Sequence, residues 1–171
     1  MSFVFRSIGN KHWYSADQPD FSGWLQDGEL VADVLKELRT IRGCLSVYKV
    51  DSDKQNLDRV ISAYACTRNS LNDIDYVLVP LKIIFEQFDT ASTLGATADD
   101  EVNKLHLDIE HLSVSKLLLL ARVFQDHHSA MHRIRKRNVK SKIEDCIRKN
   151  HLVFSRIDES IQRKFPEFSA T

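Results

Sequence analysis

Two short runs rich in β-branched and aromatic residues, 44–50 and 74–79, bracket a helical stripe, and this order narrows the folds open to the chain. The first run follows Gly43 and carries Val47, Tyr48 and Val50. The second carries Ile74, Tyr76, Val77, Leu78 and Val79 and is closed by Pro80, which cannot donate to a central ladder. Between them Leu57, Val60, Ile61 and Tyr64 recur at helical spacing over 55–69. Strand, helix and strand within about 35 residues predict a right-handed parallel crossover, because consecutive parallel strands need a helix-length connection.

The flanking segments extend this pattern. Phe3 to Phe5 alternates weakly and reads as a short strand, and 9–23 reads as mostly loop. Leu30, Val31, Val34, Leu35, Leu38 and Ile41 form one apolar stripe, so 27–41 is predicted as a helix with Asp27 as its cap and Gly43 as its stop. Residues 81–88 suit a helical turn or a strand, and the small polar stretch 90–100 suits a long surface loop. Over 102–112, Leu105, Leu107 and Ile109 alternate with polar residues, whereas Leu105, Ile109 and Leu112 also fit a helix; the helix caps that follow favour the strand. Ser113 and Ser115 offer caps for a helix to about 127, apolar nearly all round at 117–120 and therefore expected to be buried. Helices over 139–149 and 156–165 follow. Ser155 caps the second, Ile157, Ile161 and Phe165 point inward, and Pro166 ends it.

The fold class expected is therefore α/β or α+β. It has a small sheet of three to five strands with a βαβ unit in the N-terminal half, and a helical C-terminal half. One domain over 1–171 is expected, with 1–88 as the α/β part and 101–171 as a mainly helical, basic part. Hydrophobic residues make up 43% of the chain, enough for one core and too many for a disordered tract. The longest apolar run, 117–121, falls far short of the roughly 20 residues a membrane span needs. Residues 1–9 lack the long apolar core of a signal peptide. Cys44, Cys66 and Cys146 are odd in number and widely spaced, which fits reduced core cysteines. Together these predict a cytoplasmic protein without a membrane partner or a cofactor.

Formal charge sums to zero but is unevenly distributed. Residues 1–128 hold 13 Lys and Arg against 19 Asp and Glu, whereas 129–171 hold 11 against 5. Arg133, Arg135, Lys136, Arg137, Lys140, Lys142, Arg148 and Lys149 crowd one segment, and phosphate backbones attract such clusters through counterion release. A helix opening near Val139 would add positive backbone amides. Arg133, Arg135, Lys136, Arg137, Lys140 and Lys142 are thus the candidate nucleic-acid contacts. The competing reading is a solvated face, or a patch neutralised by the acidic stretch 85–112. The segment has no Phe, Trp or Tyr on which to stack single-stranded bases.

Three smaller constellations remain. His128 and His132 are four apart, the spacing that places two metal ligands on one helix face, but no HExxH and no nearby cysteine pair accompanies them. Arg122 and His127 stand in an Arg-x4-His spacing near a helix end. In those two residues the chain resembles the HEPN domains, small all-helical ribonucleases. The resemblance implies general acid–base cleavage of RNA at a dimer interface by this pair. Finally, Trp13, Tyr14, Phe21 and Trp24 crowd the N-terminal arm, and such aromatics anchor interfaces well. No nucleophile elbow, P-loop or dinucleotide fingerprint occurs.

The reading that results is a non-enzymatic accessory protein whose partner is another protein, of the immunity, inhibitor or defence-system subunit type, in a setting such as phage defence or toxin immunity. The alternative is a nucleic-acid-binding protein using residues 133–149, with ribonuclease activity through Arg122 and His127.

Overall fold

A computed structural model describes residues 1–9, 25–26, 29–32, 34–127 and 131–168. Its centre is a six-stranded sheet in the order β6-β7-β4-β1-β5-β8, every neighbouring pair antiparallel. The strands are β1 (Phe3–Ile8), β4 (Leu45–Val50), β5 (Ile74–Pro80), β6 (Thr90–Ser92), β7 (His106–Ile109) and β8 (Met131–Ile134). A separate two-stranded ladder joins β2 (Leu25–Gln26) to β3 (Glu29–Leu30). Among the described residues, seven α-helices accompany the strands: α1 (Val34–Glu37), α2 (Leu57–Ala65), α3 (Leu81–Gln87), α4 (Asp100–Lys104), α5 (Val114–Asp126), α6 (Lys136–Arg148) and α7 (Glu159–Gln162).

This architecture overturns the expected fold class in three respects. The sheet has six strands, not three to five. Strands β4 and β5 do flank a helix and run parallel to one another, but β1 lies between them and pairs antiparallel with both. The expected βαβ unit of adjacent parallel strands is therefore absent, because the N-terminal strand fills the gap the crossover leaves. The C-terminal half is not simply helical, since β6, β7 and β8 all fall after residue 88.

Alternation along the strands sorts side chains onto two faces. Val4, Val47, Val77, Val79 and Leu107 pack beneath α1, α3 and α5 with Val34, Ile84, Leu120 and Phe124. Phe5, Val50, Ile74, Tyr76 and Leu78 face the other way, beneath α2 and α6, with Ile61, Val139 and Ile143. The C-terminal stretch closes this second core with Ile157, Ile161 and Phe165. Asp158, not Ser155, caps α7, accepting from the Ser160 amide at 2.9 Å. Ser155 sits inside the 3-10 turn Phe154–Arg156 that precedes it.

Several local expectations are corrected as well. Of the stripe read as a helix over 27–41, the described residues form only the single turn α1, preceded by β3, and the expected cap Asp27 lies outside the described residues. Arg42 and Gly43 both take positive φ and turn the chain into β4, leaving Ile41 79% exposed. The strand expected over 102–112 is shortened to β7, because the Asp99 carboxylate caps α4 just ahead of it. The stretch 90–100, expected as loop, opens with β6.

Candidate functional site

The basic segment begins on a strand. In β8, Arg133 lies directly opposite Asp75 of β5 and grips it with Nε and Nη2, the Nε contact being 2.6 Å. An arginine is tolerated there because its cross-strand neighbour is a carboxylate. Asp73 occupies the start of α6. Its Oδ1 accepts from the Lys136 amide at 2.8 Å and its Oδ2 from Arg135 Nη1 at 3.1 Å. The helix N-terminus that would receive a phosphate oxygen is thus taken by a carboxylate of the chain itself. Lys142 pairs with Asp58 at 2.6 Å, and Lys140 lies 3.6 Å from Glu144 with its ammonium over the Phe165 ring. The neutralising groups are mainly Asp58, Asp73 and Asp75, not the acidic stretch 85–112. Lys136 and Arg137 remain exposed.

The bonds from Lys136 and Arg135 hold the Asp73 carboxyl below its ordinary value of 3.8. A carboxylate whose folded pKa is depressed stabilises the fold above that ordinary value and loses its contribution as pH falls through the folded one. Asp73→Ala is therefore expected to cost about 1 kcal/mol at neutral pH, the usual worth of a helix cap. The gap from wild type should close below pH 3.8. Urea unfolding of both proteins at neutral and acid pH checks this, and a pH-independent gap would contradict it.

His132 lies opposite Tyr76 in the β5–β8 ladder, its ring 5.3 Å from the tyrosine ring. Partial burial there, and then the charge of Lys54, hold its pKa below the usual histidine value. His128 lies outside the described residues, as do Trp13, Tyr14, Phe21 and Trp24. Among the described residues no group of three or more His, Cys, Asp or Glu is arranged to hold a metal ion. Cys66 and Cys146 are buried and free, and burial pushes the Cys66 thiol up to about 12. Among the described residues no helix is long and apolar enough to cross a membrane.

Arg122 lies half-buried within α5, and His127 is its C-cap. The His127 Nδ1 sits 2.8 Å from the Val123 carbonyl oxygen. A carbonyl only accepts, so Nδ1 carries the hydrogen. Four residues separate the pair, and a step of five positions places them about 140° apart around the helix axis.

Helix α5 itself departs from expectation. Its inner face is buried through Leu120, Ala121, Val123 and Phe124, but the run at 117–120 is not buried all round. Leu118 and Leu119 are 39% and 45% exposed, and Val114, one turn before Leu118, is 70% exposed. Ser113 caps the helix by accepting from the Lys116 amide, and Lys116 pairs with Asp89 at 2.7 Å.

Two features had no local signature. Asp99 is fully buried and takes Nε and Nη2 of Arg59, the latter at 2.8 Å. That carboxylate raises the Arg59 pKa above its ordinary value. Arg59 also lines a cavity of about 410 Å³ between α2 and the C-terminal half of α6. Only their separation in sequence, 40 residues, hid this pairing.

Comparisons with protein-family models, with curated proteins and with solved structures give no match for this chain.

Proposed function

We propose that the chain is a non-enzymatic accessory protein that acts by docking another protein onto the outward face of α5. The observation that carries this reading is the exposure of Val114, Leu118 and Leu119 on a helix whose opposite face is fully packed. Val114 and Leu118 lie one turn apart on the same face, and Leu119 flanks them about 100° further round the helix. Leaving large apolar side chains together in water is unfavourable, and such patches commonly mark association sites. Ser113 and the Lys116–Asp89 ion pair supply a polar rim nearby, as interfaces usually have. An immunity, inhibitor or defence-subunit role belongs to this reading.

The nucleic-acid alternative draws on fewer free charges than the sequence count implies, since Asp58, Asp73 and Asp75 already bind Lys142, Arg135 and Arg133. Phosphate contacts must displace those carboxylates or rely on exposed cations such as Lys136, Arg137 and Lys149.

The test uses the full chain as bait in extract of its native host, beside a Leu118→Asp/Leu119→Asp variant. A partner that wild type captures and the variant loses, at equal melting temperature, supports the reading. Identical capture by both proteins defeats it, as does binding of labelled RNA or duplex DNA that weakens steeply with salt while no protein depends on α5. Light scattering of the pure chain tells a second copy from a different protein, and self-association through α5 would also count against an accessory role.

A further inference from the structure

The cavity between α2 and α6 is lined by charges of both signs, several of them without a partner. Lys142 is committed to Asp58, and Arg59 commits Nε and Nη2 to Asp99. Among the described residues, Arg59 Nη1, Lys149, Asp51 and Asp145 form no side-chain ion pair or hydrogen bond, although all four residues line the cavity. His151 stands beside them and Cys146 contributes an apolar portion of the wall.

Electrostatics decides what such a cavity suits. Three cationic residues, Arg59, Lys142 and Lys149, face three carboxylates, Asp51, Asp58 and Asp145, and Asp99 lies directly behind Arg59. These seven groups together carry one net negative charge, so a phosphate dianion meets a repulsive field. A simple cation meets Lys149 and the Arg59 edge. A ligand carrying an ammonium and a carboxylate satisfies both sets of unpaired groups at once, and charge-assisted hydrogen bonds are the strong ones. The buried Asp99 fixes the guanidinium before any ligand arrives, which lowers the entropy cost of binding. The volume lies at the lower end of small-molecule sites.

We infer that this cavity binds a small zwitterion of the free amino acid or short-peptide class. Lys149 and Arg59 take its carboxylate, and Asp51 and Asp145 take its ammonium. The inference is independent of the α5 face.

Isothermal titration calorimetry on the full chain tests it, with the standard L-amino acids as probes, their N-acetyl and amide derivatives as controls, and inorganic phosphate as an anion control. At least one amino acid should bind, and blocking either end should weaken it about tenfold or more, the worth of one charge-assisted contact. Lys149→Ala and Asp145→Ala should each weaken binding similarly while leaving circular dichroism and melting temperature unchanged, because both side chains are exposed. The Leu118→Asp/Leu119→Asp variant should bind as wild type does, which separates a failure here from a failure of the docking face. No binding at millimolar ligand overturns the inference. So does equal binding of the blocked derivatives or of phosphate, or wild-type affinity in both cavity variants.

Discussion

Asp99→Ala should destabilise the fold by about 3–5 kcal/mol, the usual result of removing one partner from a buried ion pair. Asp99 has no contact with water, and its carboxylate does two jobs. It receives the Arg59 guanidinium, and its Oδ1 accepts from the Glu101 and Val102 amides at 2.9 and 3.1 Å to start α4. Alanine removes both. Arg59 keeps some access to water, at 29% exposure, which moderates the penalty on its side. Arg59→Met should be at least as harmful, since it strands a carboxylate that water cannot reach. Combining Arg59→Met with Asp99→Asn should recover part of the loss, because the stranded charge is gone and the cap oxygen remains. Neighbours in one network typically deviate from additivity by about 0.5–3 kcal/mol. Urea unfolding of Arg59→Met, Asp99→Asn and their double, beside Asp99→Ala, at unchanged m-value, measures this. A loss below about 1 kcal/mol for Asp99→Ala would show that the pair contributes no more than an exposed one.

The same turn anchors the C-terminal stretch, so the damage should spread. Arg156 donates to the Thr97 carbonyl and to Asp100, both at 2.6 Å, and the Val153 amide donates to the Ala98 carbonyl at 2.8 Å. Thr97 and Asn103 are buried and bonded to one another at 2.8 Å. A disturbed 97–100 turn therefore loosens the segment that closes the second core.

What the sequence discloses follows the range of the forces involved. Residues 44–50 and 74–79 are legible as strands because composition and bounding Gly43 and Pro80 are local signals, and β4 and β5 occupy nearly those spans. Their relation in the sheet is not legible. It depends on β1, whose Phe3 pairs with Val50 on one side and Pro80 on the other, a choice made by tertiary contacts. The stripe at 30–41 misleads for a similar reason. Val34 and Leu38 are buried as helical spacing predicts, but the positive-φ turn at Arg42 and Gly43 and the pairing of β3 with β2 curtail the helix. Charge is the plainest case. The count of cations after residue 129 is visible in the sequence, whereas their neutralisation by Asp58, Asp73 and Asp75 requires knowing that β5 and β8 lie side by side. Likewise the apolar run at 117–120 shows that α5 packs, not that Leu118 and Leu119 face outward. The cavity between α2 and α6 is assembled from residues nearly 100 positions apart and has no sequence pattern at all.

Phe165→Ala should cost about 3–5 kcal/mol, as removal of a buried phenyl ring does when its site cannot collapse. The position is close to the end of the sequence, where substitutions are ordinarily tolerated. Burial overrides that expectation, since Phe165 and Ile161 have no exposed surface and Ile157 has only 3%. They share one cluster with Cys66, Leu71 and Ile147, so this stretch completes the core over α2 and α6. The Lys140 ammonium, 5.5 Å from the ring centre, adds a cation–π contact that alanine also forfeits. Phe165→Leu keeps most of the volume and should lose less than about 1.5 kcal/mol. Comparing the two by chemical denaturation separates filled volume from ring-specific attraction. If both lose the same large amount, the shape of the ring rather than filled volume carries the position, since a cation–π contact supplies only about 0.5–2 kcal/mol. If Phe165→Ala unfolds at the wild-type midpoint, the C-terminal stretch is no part of the cooperative core, and α2 and α6 must be stable without it.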